Sequence, residues 1–122
     1  MRFSLRFGGG LRAEVELDEE VGRRLLDHVP FTSVANRWGD EVYFELPLDL
    51  GLRGERVEME VGEVAYWPEG NSLCIFFGPT PVSRGGEPRA YSPVRPVGRV
   101  VGDPLALKRV RDGEAVEVSL GT

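Results

Sequence analysis

The chain is poor in the residues that carry most metal and redox chemistry. Its 122 residues include one cysteine, Cys74, and one histidine, His28. A disulfide within the chain is impossible, and so is a Cys/His zinc site; no metal or other cofactor is expected. A lone thiol suits a reducing compartment. Glutamine is absent, asparagine is limited to Asn36 and Asn71, and Lys108 is the single lysine beside fourteen arginines. Scarce amides and nine prolines suit a hot environment, although a GC-rich genome would give the same arginine bias. No apolar run approaches the roughly 20 residues that cross a bilayer. Charges interrupt "MRFSLRFGGG" where a signal peptide would be unbroken. A cytoplasmic protein without a membrane partner is expected. A net charge of −5 repels phosphate backbones, so nucleic acid is not the expected partner either.

What remains is a composition for one soluble domain, 1–122, with 41% hydrophobic and 29% charged residues. Phe3, Leu5 and Phe7 alternate with Arg2, Ser4 and Arg6, and Leu11, Ala13, Val15 and Leu17 alternate with Arg12, Glu14 and Glu16. Period two on both sides of Gly-Gly-Gly predicts a β-hairpin. Asp18 is placed to cap a helix running to about His28, with Val21, Leu25, Leu26 and Val29 inward and Pro30 as its stop. Val42, Phe44 and Leu46 then alternate with Tyr43 and Glu45; Val57, Met59 and Val61 alternate with Glu58 and Glu60. "EVAYW" and "SLCIFF" add two strands, the second apolar enough to be buried on both faces. Five prolines between Gly78 and Pro96 predict a long irregular loop. "VGRVVGD" returns to strand, Asp103-Pro104 starts a second helix with Leu105, Leu107 and Val110 inward, and "EAVEVSL" is a last strand. About eight short strands and two short helices predict a mainly β barrel or sandwich.

Candidate site residues cluster where strands end. Tyr66, Trp67 and Pro68 close one strand and are placed to line a barrel mouth, with Trp67 as a core plug as the other reading. Phe77 ends the apolar strand, and Pro79 and Thr80 of the "GPTP" segment after it would meet Trp67-Pro68 there. Arg37 beside Trp38 has the planar fork that holds a carboxylate. Arg84, Arg89, Arg95 and Tyr91 sit in the proline-rich loop, which reads either as an anion-binding lid or as a fixed cover. Cys74, inside "SLCIFF", reads as an inert buried thiol, and His28 as a helix end. Glu55, Glu58, Glu60 and Glu63 read as a solvated strand face.

The stretches "GEVAYWPEGNSLCIFFGPTP" (Gly62 to Pro81) and "VGRVVGDPLALKRVRDGE" (Val97 to Glu114) resemble a small prokaryotic cyclophilin-like family, largely uncharacterised. The resemblance covers nearly the whole chain. It implies a closed eight-stranded barrel with a short α-helix at each end. Cyclophilins proper are peptidyl-prolyl isomerases whose catalytic arginine lies in a strand motif F-H-R-x-I-P-x-F. The corresponding region here reads "NRWGDEVYFELP", with Arg37 ahead of the strand. The G-S-Q-F-F-I strand of cyclophilins matches "NSLCIF", with Leu73 in place of glutamine. Because that arginine donates to the prolyl nitrogen of a twisted amide, the resemblance implies the fold without efficient isomerase chemistry. The expected function is a module that binds a peptide or small molecule. The alternatives are a weak prolyl isomerase or an enzyme on a small amide or lactam, as in 5-oxoprolinase and allophanate hydrolase subunits, and a structural interaction domain. Oligomerisation is left open.

Overall fold

Alternation builds the first hairpin. In the computed structural model, which describes residues 1–121, β1 (Arg2–Phe7) and β2 (Arg12–Leu17) pair antiparallel, with Phe3 opposite Val15 and Leu5 opposite Ala13. Phe3, Leu5, Phe7, Val15 and Leu17 are buried, while Arg2 and Arg6 face water. The helix α1 (Glu19–Leu26) follows and buries Val21 and Leu25. Asp18 precedes it but makes no side-chain cap, and Leu26 points outward. Arg24 on this helix donates to the carbonyls of Leu50 (2.6 Å) and Asp49 (2.9 Å), which ties down an extended stretch without secondary structure of its own.

Eight further strands complete the sheet: β3 (Phe31–Val34), β4 (Asn36–Arg37), β5 (Glu41–Glu45), β6 (Arg56–Glu58), β7 (Glu63–Trp67), β8 (Ser72–Phe76), β9 (Arg89–Val101) and β10 (Ala115–Leu120). Their order is β3-β10-β1-β2-β9-β7-β8-β5-β4, with β6 paired to β9 beside this path. The expectation of a closed eight-stranded barrel is therefore corrected to ten strands in a ladder that hydrogen bonds do not close. The reason lies at Ala35. The edge strands β3 and β4 are consecutive in the chain, and this one buried residue separates them. Its amide and carbonyl bond to Glu114 and Gly113, on the β10 side where β3 already pairs, and not across to β5. Ser33 Oγ reaches the carbonyl of Glu45 at 2.8 Å and spans the gap.

The long loop expected from Gly78 to Pro96 is corrected in the same way. Irregular chain ends at Pro88, and Arg89 begins a 13-residue strand. Proline is tolerated because β9 changes partners along its length: Arg89 and Val94 pair with β6, Arg95 to Arg99 with β7, and Gly98 to Val101 with β2. A register shift between Val64 and Ala65 of β7 sits where Pro96 lacks a ladder N–H. Gly98 permits the crossing, since a Cβ there would lie 2.1 Å from the carbonyl oxygen of Glu16. The second helix is a 3-10 helix, Pro104–Arg109, rather than an α-helix. Asp103 does cap it, accepting from the amide of Leu105 at 3.0 Å, and Leu107 and Val110 are buried, but Leu105 is exposed. No helix among the described residues is long and apolar enough to cross a membrane.

The concave side of the sheet holds the main core, built from Phe3, Leu5, Phe7, Val42, Phe44, Val64, Tyr66, Leu73, Ile75, Phe77, Val116 and others. A second, smaller core lies on the opposite side of the β5-β8-β7 portion. It contains Met59, Ala65, Cys74, Phe76, Ala90 and Val94, with Tyr43, Val57 and Trp67 packed against it.

Candidate functional site

Cross-strand register decides which side chains share the second face. Residues directly opposite one another in antiparallel strands project to the same side. Tyr43 pairs with Cys74 and Glu41 with Phe76; Ala65 pairs with Cys74 and Trp67 with Ser72. Glu41, Tyr43, Ala65, Trp67, Cys74 and Phe76 thus stand together, on the face opposite Val42, Phe44, Tyr66 and Leu73. The first half of β9 lies across part of this face and contributes Ala90 and Val94, with Tyr91 beside them. Small side chains from β9 cover it incompletely. A cleft of about 210 Å³ remains, lined by Trp38, Glu41, Tyr43, Trp67, Ala90, Tyr91 and Val94.

Four aromatic rings stand in series around the cleft. Tyr43 meets Trp67 at 5.8 Å between centroids, Trp67 meets Tyr91 at 6.4 Å, and Tyr91 meets Trp38 at 6.0 Å. Each pair is close to perpendicular, at 80°, 84° and 80°. Trp67 is fixed by an indole N–H donated to Ser92 Oγ at 2.7 Å and by Gly70 under its ring, where a Cβ would sit 2.3 Å from the indole. Trp38 is held in the turn joining β4 to β5, where its backbone exchanges hydrogen bonds with Glu41. Tyr91 is 70% exposed and forms the outer wall.

The charged group in the cleft is Glu41, only 5% exposed. Burial pushes its carboxyl up to about 7, and a hydrogen bond with the Cys74 thiol opposes this only in part. Tyr43 is likewise pushed up, first by burial and then by the nearby Glu41, Asp112 and Cys74. Cys74 is buried, and its thiol is held well above the usual range by desolvation and by Glu41. It is not poised as a nucleophile. Glu63 makes a useful contrast. It is equally buried, not on a solvated face as its alternation predicts, and it is paired with Arg56 at 2.5 Å and accepts from the Glu60 amide at 2.9 Å.

Of the residues singled out from the sequence, Trp38, Trp67 and Tyr91 meet in the cleft. Arg37 lies beside it but its guanidinium is committed. It donates to the carbonyls of Gly39, Lys108 and Val110, pairs with Asp40 at 3.3 Å, and rests over Phe77, 5.1 Å from the ring centroid. Tyr66 and Phe77 belong to the main core, and the Tyr66 hydroxyl donates to Asn71 Oδ1 at 2.5 Å. Pro68 is half-buried in the β7–β8 turn. Pro79 and Thr80 brace the neighbouring loop: the Pro79 carbonyl accepts from the Asp40 amide, and Thr80 Oγ1 donates to the Arg89 carbonyl at 2.5 Å. Arg84 is exposed at the loop tip, Arg89 pairs with Glu58, and Arg95 pairs with Glu55. No arginine lines the cleft. Sequence alone does not single out Glu41 and Tyr43, because their alternation with Val42 and Phe44 marks them as outward. The one available signal was "EVAYW" and "SLCIFF", whose two apolar faces require a second layer.

The family model described as Cyclophilin-like matches residues 1–119. The chain belongs to this cyclophilin-like family. Its fold is similar to that of a hypothetical protein from Archaeoglobus fulgidus, solved in solution. The TM-score is 0.81 at 40% identity, covering 99% of this chain and 95% of that one. No curated protein gives a significant match. Membership in the cyclophilin-like family accounts for the architecture and leaves the chemistry of the cleft to be argued from its own side chains.

Proposed function

We propose that this cyclophilin-like protein is a binding module whose small ligand, or peptide side chain, seats in the cleft between Trp38, Tyr43, Trp67 and Tyr91. The observation that carries this reading is the four-ring wall around about 210 Å³, with a single buried carboxyl at its base. Apolar concavities with one convergent polar group are the usual form of a small-ligand site. Aromatic rings also offer large contact area at low rotamer cost. An efficient prolyl isomerase is disfavoured by the same geometry. Its reaction needs a donor aimed at the prolyl nitrogen, and no arginine lines the cleft; Arg37, next to Trp38, spends its donors on backbone carbonyls and Asp40, and Arg89, next to Ala90, pairs with Glu58.

The test pairs two measurements. Tryptophan fluorescence and thermal shift are followed against a panel of Xaa-Pro tetrapeptides, small lactams and amides, and organic amines; isomerisation of the peptides is assayed in parallel. Saturable quenching by at least one panel member, lost in Tyr91→Ala, with no isomerisation above background, is expected. No response to any member counts against a binding module. A peptide rate above background that falls with Tyr91→Ala would make the cleft a catalytic site instead.

A further inference from the structure

The walls and the floor of the cleft carry complementary information about charge. The walls are rings. Successive members of the series Tyr43, Trp67, Tyr91 and Trp38 meet edge to face at 80° to 84°, and all four line the cleft. The negative π faces of such rings attract a cation within about 6 Å, tryptophan most strongly. The floor is a carboxyl. Glu41 is 5% exposed, yet the only polar group acting against its burial is a thiol. Burying a carboxylate without a cationic partner is costly, so such a group either keeps its proton or takes a counter-charge. Elsewhere the protein supplies that counter-charge itself, as Arg56 does for Glu63. In the cleft it is missing, and the space beside Glu41 is open.

We propose that the cleft recognises an alkylated ammonium group, with the four rings enclosing its alkyl shell and Glu41 supplying the counter-charge. This rests on the binding-module reading above and names its ligand class. A volume of about 210 Å³ admits a trimethylammonium head with a short stem, and Tyr91, at 70% exposure, leaves the stem a way out to solvent. Either a free alkylammonium compound or a methylated lysine side chain has this chemistry.

Proton linkage gives the inference a sign. A seated cation favours ionised Glu41, so affinity rises with pH through about 7. The surrounding groups do not reverse this. Tyr43 on the same strand and Cys74 on β8 are both pushed upward and stay neutral. Tyr91 faces the cleft from β9. Asp112, which acts on Tyr43, is an acid that adds to the attraction, and Arg37 and Asp40 in the adjoining turn neutralise each other. A neutral ligand accepting a hydrogen bond from protonated Glu41 would show the opposite trend.

The experiment titrates the full chain by tryptophan fluorescence and calorimetry with four probes. These are choline, N-acetyl-trimethyllysine amide, unmethylated N-acetyl-lysine amide, and the neutral isostere of choline in which tert-butyl replaces trimethylammonium. Expected are saturable binding of a trimethylammonium probe and affinity roughly tenfold or more weaker for the neutral isostere, as loss of the cation–π attraction requires. A rise in affinity from about pH 6 to about pH 8 is expected as well, abolished in Glu41→Gln. Choline against trimethyllysine amide separates a free compound from a modified side chain. Tyr91→Ala, at an exposed ring, weakens binding without depending on the refolding of a buried position. Equal binding of the neutral isostere, or an unchanged pH profile in Glu41→Gln, overturns the charge assignment while the cleft remains a binder. Failure of both ammonium probes beside a positive member of the neutral panel does the same. Failure of every probe and every panel member removes both readings.

Discussion

The two faces of the β5-β8-β7 portion share a backbone and differ in their lids. On one face Val42, Phe44, Val64, Tyr66, Leu73 and Ile75 meet side chains from the whole curved sheet and are packed solid. On the other, Ala65, Cys74 and Phe76 are covered by Val57 of β6, Met59 just after it and the small residues Ala90 and Val94 of β9, with Tyr43 and Trp67 at the side, and a cleft survives. A strand alternates its side chains automatically, but what fills the space above them depends on the covering element. The buried acids repeat the contrast. Glu63 has Arg56 within 2.5 Å, whereas Glu41 has a thiol and an aromatic cleft.

The largest effect should come from breaking the solid face. Phe44→Ala, at a fully buried site in the main core, is expected to cost about 3–5 kcal/mol in denaturant unfolding, since its neighbours from several strands cannot all collapse inward. A cost below about 1 kcal/mol would mean that the two faces are equally loose.

Glu41→Gln sharpens the electrostatic half of the comparison. A carboxyl raised from 4.5 to about 7 in the folded state binds protons that the unfolded chain has already lost. Stability therefore falls as pH rises from about 4.5 to about 7. Glutamine removes that fall, so the variant should be more stable than the parent above pH 7 by about 3 kcal/mol, with little difference near pH 4. Parallel unfolding curves at the two pH values check it, and a variant equally destabilised at both would show that Glu41 has a hidden partner.

Tyr91→Ala should have the smallest effect on stability. Its ring is 70% exposed, so a change within about 0.5 kcal/mol is expected, and the readout of interest is lost ligand quenching. A large drop in melting temperature would assign Tyr91 to the core of the lid rather than to the rim of a site.

Much of this was legible beforehand. The first hairpin, the inward Val21 and Leu25, the buried "SLCIFF" strand and the Asp103 cap all follow from local rules of alternation, periodicity and capping. Only the second half of β9, "VGRVVGD", reads as strand; its first half, from Arg89, is hidden because five prolines read as loop when nothing announces that the strand exchanges partners between Val94 and Gly98. Arg37 looked free because a sequence cannot reveal that carbonyls from Lys108 and Val110, some 70 positions away, converge on it.

By itself, then, the sequence determined the period of each strand, which residues are apolar, and that a family fold able to bury them would form, because these depend on neighbours within a few positions. Only the tertiary structure decided that Glu41 and Tyr43, outward by alternation, face a second layer and not water. It likewise decided that Trp38, Trp67 and Tyr91, spread over more than 50 residues, stand around one cleft. The physical reason is that burial and desolvation belong to the space between strands, and that space exists only after β9 has crossed the sheet.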